Sequence, residues 1–356
     1  MCADSATSTP AVNDSHLTGN FMLAGFIRQA RLLIAMGFCA VLFLYVGHWL
    51  IPGPQVDGTQ ALAVGPAVSL AAEGATLVAV VIAVAVSTLI TWPDAPHTGL
   101  FCACVGLLAL AVHWGGITLL LVHRYTNLSA VYADLGMQCF FWIIFIALAE
   151  GIGYGLYRYS PRKWPLALGL PWPAPWTKSD VPLAYPFYAT VVPPVRDNSP
   201  KARLQAALDQ LTGLLAGMII ASLVLAILMK SGNPGQVIFA CFFSFFISGL
   251  VVGMFLPRSS VLVIWLSVPL TAAFGYLLAG HGAVSLPGQV PEFSTGGAAI
   301  FWGRAAPIFY VGAGLPGAIA GFYAALRTHY RQALDMGLDM ESDTTPAGQQ
   351  QPLAKS

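Results

Sequence analysis

Charge is what this chain has least of. Only 9% of its 356 residues are Asp, Glu, Lys or Arg, against about 25% in an ordinary soluble domain, while 57% are hydrophobic. Such a chain cannot be solvated as one globule, and its composition is that of an integral membrane protein. The short alternating segments of a β-barrel are missing, which leaves helices as the spanning elements. No basic face or aromatic-basic repeat exists, so nucleic acid is excluded as a partner. HExxH, GxSxG, the Walker A loop and GxGxxG are all absent. The stretch GIGYG at 151–155 breaks the last of these spacings and closes an apolar run instead of following a strand. Six cysteines, at 2, 39, 102, 104, 139 and 241, form no CxxC pair and no Cys/His set suited to zinc. They read as small buried hydrophobes, and no metal or cofactor is expected.

What the sequence has in abundance is long apolar runs. A helix needs about 20 mostly apolar residues to cross a hydrocarbon layer of about 30 Å. Eight segments qualify: 32–51, 75–92, 99–122, 135–157, 211–229, 236–256, 261–280 and 305–326. The fold class expected is therefore all-α, a polytopic transmembrane helical bundle of about eight spans. With the N-terminus inside, thirteen Lys and Arg residues fall on the cytoplasmic side and three, Arg124, Lys230 and Arg304, on the other. Both termini are then cytoplasmic, in the inner cell membrane. The N-terminal basic flank at Arg28 and Arg31 has the charge layout of a signal peptide, but no small-residue cleavage site follows, which favours an uncleaved anchor.

The organisation that results is a polar N-terminal tail and basic flank (1–31), a first four-helix half (32–157), a cytoplasmic connector (158–210), a second four-helix half (211–326) and a polar C-terminal tail (327–356). The connector contains RKWPLALGLPWPAPWTK, whose alternating prolines exclude helix. Trp164, Trp172 and Trp176 beside Arg162, Lys163 and Lys178 fit a segment lying among lipid headgroups. Spans four and eight end alike, GIGYGLY at 151–157 against GAIAGFY at 317–323, which raises a duplicated half as a reading beside chance in low-complexity sequence.

Glu150, in IALAEGIGYGLY, is the acid set deepest in a span. At 1.5 Å per residue it lies about 6 Å to the cytoplasmic side of the segment's middle, too deep to snorkel easily. Burial favours the neutral acid unless a cation or several donors stabilise the charge. It reads either as a proton or ion relay or as a protonated group that joins helices. Gly151 and Gly155, one turn apart, are expected to let a neighbouring helix approach and supply its partner.

Span eight, APIFYVGAGLPGAIAGFYAAL, is loosened at its middle by Gly312, Gly314 and Pro316, so a kink over 312–316 is expected. Freed carbonyls there would line a cation or solute site; small-residue packing is the alternative. Gly213 with Gly217, Gly249 with Gly253, and Gly317 with Gly321 read as helix-packing pairs. Four histidines, at 48, 113, 123 and 281, fall near outer span ends, and His113 is the one well inside a span. Paired imidazoles would ligate haem or a metal; ordinary interfacial histidines are the alternative. Glu73 and Arg304, also at outer ends, are in reach of pairing.

The function these residues suggest is binding or passage of a small solute or proton, with Glu150, His113, Gly312, Gly314 and Pro316 as its candidate site. Apart from lipid, the partners expected are that solute or ion and other chains within the membrane, as a homo- or hetero-oligomer. The rival is a non-catalytic scaffold or accessory subunit, and a membrane-embedded enzyme or haem carrier comes third.

Overall fold

A computed structural model describes residues 14–47, 70–92, 97–114, 128–159, 200–230, 232–256, 259–284 and 302–328. Among the described residues all regular structure is helical. In chain order the helices are α1 (Asp14–Val41), α2 (Leu70–Thr91), α3 (His97–Trp114), α4 (Leu128–Tyr159), α5 (Pro200–Leu228), α6 (Pro234–Phe255), α7 (Val261–Val284) and α8 (Pro307–Thr328). Seven contain stretches long and apolar enough to cross a membrane; the apolar part of α3, His97–His113, is shorter. The fold therefore suits a membrane protein.

Several boundaries differ from those read in the sequence. Helix α1 begins at Asp14, inside the expected polar tail, and α5 begins at Pro200 instead of residue 211. Amphipathic turns at a membrane surface continue a helix beyond its apolar part, and hydropathy alone does not see them. What remains of the expected connector, 160–199 with Trp164, Trp172 and Trp176, lies outside the described residues.

Local chemistry fixes the helix ends. Asn233 caps α6, its Oδ1 accepting from the Gly235 N–H at 3.0 Å, and Pro234 occupies the first turn, where a missing donor costs nothing. The last carbonyls of α5 are satisfied from other elements: Gln236 Nε2 donates to Leu228 O at 3.0 Å, and Arg304 donates to the carbonyls of Met229 and Lys230. Arg304 thus caps a helix.

Helices α1–α4 and α5–α8 pack in corresponding patterns. In the first set the main contacts are α1 with α2 and α3, α2 with α3 and α4, and α3 with α4. In the second they are α5 with α6 and α7, α6 with α8, and α7 with α8, while α6 and α7 barely touch, unlike α2 and α3. The sets meet through α4 against α7 and α3 against α8. The core lies along these seams, with Trp142, Trp265, Tyr276, Tyr310 and Phe245 fully buried. Tyr276 donates to Ala305 O at 2.5 Å and meets Tyr310 edge-on. The outer surface is apolar: Leu211, Leu215, Ile219, Leu223 and Ile227 form one exposed stripe along α5, which water would not tolerate and lipid tails would.

Glycine sets how closely the helices approach. A Cβ at Gly321 would stand 2.8 Å from the Phe246 carbonyl carbon and 2.9 Å from Leu250 N. Gly317 abuts Phe242 O, Gly249 abuts Ala318 O, and Gly253 faces Ala325 Cβ at 2.7 Å, so α6 and α8 touch backbone to backbone. Gly213 meets Ser259, and Gly217 lies beside Ser248 and Ser267. Gly151 and Gly155 are different, for a Cβ at either would have nothing within 4 Å. The close approach on α4 falls at Gly153, where it would meet Val84 Cγ1 at 2.9 Å, because Gly151 lies on the outward face. Gly321→Ala should therefore destabilise the protein by about 1–3 kcal/mol. Gly151→Ala should change stability by no more than about 1 kcal/mol, towards greater stability. Thermal unfolding in detergent checks the pair, and equal losses at both sites would contradict this packing.

Candidate functional site

Three helices converge on Glu150. Gly99 at the start of α3 lies against the end of α2, where an added Cβ would be 2.8 Å from Val84 O and 3.0 Å from Thr88 N. Gly153 of α4 lies against the same residues, 3.3 Å from Thr88 Oγ1. The Thr88 hydroxyl donates to Val84 O at 2.7 Å, a back-bond that keeps it within its own helix. One turn before Gly153, Glu150 faces inward and meets His97, the first residue of α3.

His97 Nδ1 and Glu150 Oε1 are in direct contact. His97 is 3% and Glu150 8% exposed, so the pair is withdrawn from its surroundings. Beyond that contact, none of the four side-chain nitrogen and oxygen atoms has a hydrogen-bond partner. Cys104 of α3 and Tyr323 of α8 lie within electrostatic reach of the carboxyl group. On α2 Thr88 lies against Gly99 and Gly153, and at the end of that helix Arg31 of α1 donates to Trp92 O at 3.4 Å.

A carboxyl and an imidazole in contact hold protons jointly. With one proton between them the pair is neutral overall, whether written as carboxylate and imidazolium or as acid and imidazole. The arrangement is therefore suited to passing a proton through, gained on one atom as another is lost. His97 Nε2 and Glu150 Oε2 are the atoms left over for that exchange.

The other sequence candidates lie elsewhere. His113 is in the last turn of α3, sixteen residues from His97 and so about 24 Å away along the axis; it is exposed. His281 is exposed in the last turn of α7, and His48 and His123 lie outside the described residues. Gly312 and Gly314 belong to a π-turn, Tyr310–Gly314, in which Leu315 N–H bonds to Tyr310 O just ahead of Pro316. This wider turn takes up the irregularity expected at 312–316. Both glycines are buried against side chains and backbone: a Cβ on Gly312 would be 2.9 Å from Leu108 N, and one on Gly314 2.8 Å from a Phe245 ring carbon. Cys39, Cys102, Cys104, Cys139 and Cys241 are buried and unbridged, and among the described residues no group of three His, Cys, Asp or Glu is placed to hold a metal.

No family model, curated protein or solved structure matches the chain. The site is thus read from its own chemistry. His97 was missed in the sequence because it stands just before an apolar run, in WPDAPH, where it reads as loop. The signal was its side: consecutive antiparallel spans put the start of the third beside the end of the fourth.

His97→Phe and Glu150→Leu should each destabilise the protein by about 3–5 kcal/mol, since each strands a buried polar partner. The double variant should fall short of the sum by at least about 1 kcal/mol. Unfolding in mixed micelles measures the cycle, and strict additivity would mean the two side chains do not interact.

Proposed function

We propose that the protein is an eight-span protein of the inner cell membrane, with both termini cytoplasmic, that binds or passes a proton or a small solute moving with one. The His97–Glu150 pair is its protonatable centre. The observation that carries this reading is a buried acid–base contact with unused polar atoms on both partners. A contact serving only to join helices would be expected to use those atoms, since unsatisfied groups away from water are destabilising. The corresponding packing of α1–α4 and α5–α8 supports a duplicated four-helix unit. In the second unit no acid stands in a span at comparable depth, so the chemistry is assigned to the first. The eighth helix, closely packed at Gly312 and Gly314, serves as a wall. That same dense packing is the observation favouring the rival reading, a scaffold or accessory subunit without transport.

Comparison of Glu150→Gln with Glu150→Leu separates the readings. Gln keeps the shape and hydrogen bonding of a neutral acid but releases no proton. In vesicles containing the protein, oriented by reporter fusions after Leu338 (inside) and Gly288 (outside), the parent should move protons or solute with a pH-dependent rate. Glu150→Gln should fold normally and lose that pH dependence, whereas Glu150→Leu should also lose stability. A folded Gln variant with unchanged movement and an unchanged pH profile would overturn Glu150 as the relay, and a parent that moves neither protons nor any solute would leave the scaffold reading standing.

A further inference from the structure

The buried face of α4 carries a second set of unused polar atoms. Gln138 is 1% exposed, and both its Oε1 and Nε2 lack a hydrogen-bond partner; Trp142, fully buried, has an unpartnered Nε1. The two residues are four apart, so they are neighbours on the helix surface. Cys139, the next residue, faces the other way, towards Tyr276 and Tyr310 of α7 and α8. Gln138 is about 100° around the helix from Cys139 and about 60° from Gly153, the point where α4 meets α2. Glu150 is about 120° around the helix from Gln138 and about 20° from Cys139, so the second set lies on a different side of α4 from the acid.

The level of this second set follows from the helix directions. Arg31 reaches Trp92 O, and Cys39 Sγ lies 2.9 Å from Ser87 Oγ, so α1 and α2 are antiparallel. Gly106 packs on Cys39 and Phe43, which makes α3 parallel to α1. Tyr132 stacks on Tyr276, which meets Tyr310, while Tyr323 lies near Glu150, so α8 runs with α4. Gly312 on Leu108 then sets α3 against both. Twelve residues separate Gln138 from Glu150, about 18 Å along the axis. Counting back the same distance from Val84 and Thr88 on α2 reaches the turn containing Thr76, fully buried. The buried polar residues of α2 fall at two levels too: Thr76 at one, and Ser87, Thr88 and Thr91 at the other. Between them Ala79, Val80, Ala83 and Val84 are buried and apolar.

We infer that the buried side of α4 contains a second polar station at Gln138 and Trp142, which takes a small uncharged molecule that both donates and accepts hydrogen bonds. Water is the smallest member of that class; urea and glycerol represent larger ones. The carboxamide supplies one acceptor and two donors, and the indole adds a donor; neither carries the charge to hold an ion. The station rests on the reading of Glu150 given above, as a second polar level on the same helix about 18 Å from the acid.

The test uses Gln138→Met, which keeps the volume and removes the amide, and Trp142→Phe, which removes the indole N–H. In the full-length protein each should lower the melting temperature, and the double variant should lower it by less than the sum, since both act through one bound molecule. In vesicles each should slow the Glu150-dependent flux up to about tenfold while keeping the parent's pH profile. A melting temperature raised by urea-free glycerol, or by dilute urea, in the parent but not in Gln138→Met identifies a solute as the occupant; no such rise identifies water. If Gln138→Met instead raises the melting temperature and leaves flux unchanged, the site is dry packing and the station is overturned, with the Glu150 reading untouched. If Glu150→Gln leaves flux unchanged while the Gln138 and Trp142 variants are coupled, the Glu150 reading fails and the station stands.

Discussion

A carboxyl group held away from water must find its partner inside the bundle, and much of the first four-helix set is arranged so that Glu150 meets His97. The meeting needs the start of α3 and the end of α4 to lie against the same turn of α2. Gly99 and Gly153 make that possible, because a side chain on either would strike Val84 or Thr88. The Thr88 hydroxyl is turned back onto its own helix, so it fills the junction without competing for the pair. Packing and chemistry are thus coupled: whatever separates these helices also uncovers a buried acid–base contact.

The two four-helix sets share a pattern of neighbours but divide the work differently. In α5–α8 the buried polar residues are mainly hydroxyls bonded within their own or a neighbouring helix, such as Ser248 to Gly217 O at 2.8 Å and Thr271 to Ser267 O at 2.7 Å. The Ser244 and Ser259 hydroxyls and the Trp265 indole N–H are exceptions, buried without a hydrogen-bond partner. In the first set the unused polar atoms belong to an acid, an amide and an indole on α4 and to a base on α3. The close α6–α8 backbone contact gives the second set the character of a rigid support.

The sequence made the helices legible because lipid imposes a length on apolar runs: seven of the eight runs fall in helices long and apolar enough to cross a membrane, and the third falls in a shorter one. It did not reveal which glycine on α4 packs, since Gly151, Gly153 and Gly155 are spaced so that only helix rotation distinguishes them, and rotation is set by neighbours. The π-turn at Tyr310–Gly314 was foreshadowed by Pro316 as a kink, whereas the one at Leu42–Gly47 follows no proline or glycine pair. His97 was hidden because a polar residue before a helix is ordinary by local pattern. Only tertiary packing gives it a carboxylate.

The central claim is that Glu150 exchanges a proton with His97 in the folded protein. Infrared difference spectra of the reconstituted protein across an acid–base step measure this directly. The account predicts a carboxyl C=O band that changes with the step, is missing in Glu150→Gln and shifts in His97→Phe. Spectra of the parent and Glu150→Gln that cannot be told apart would contradict it.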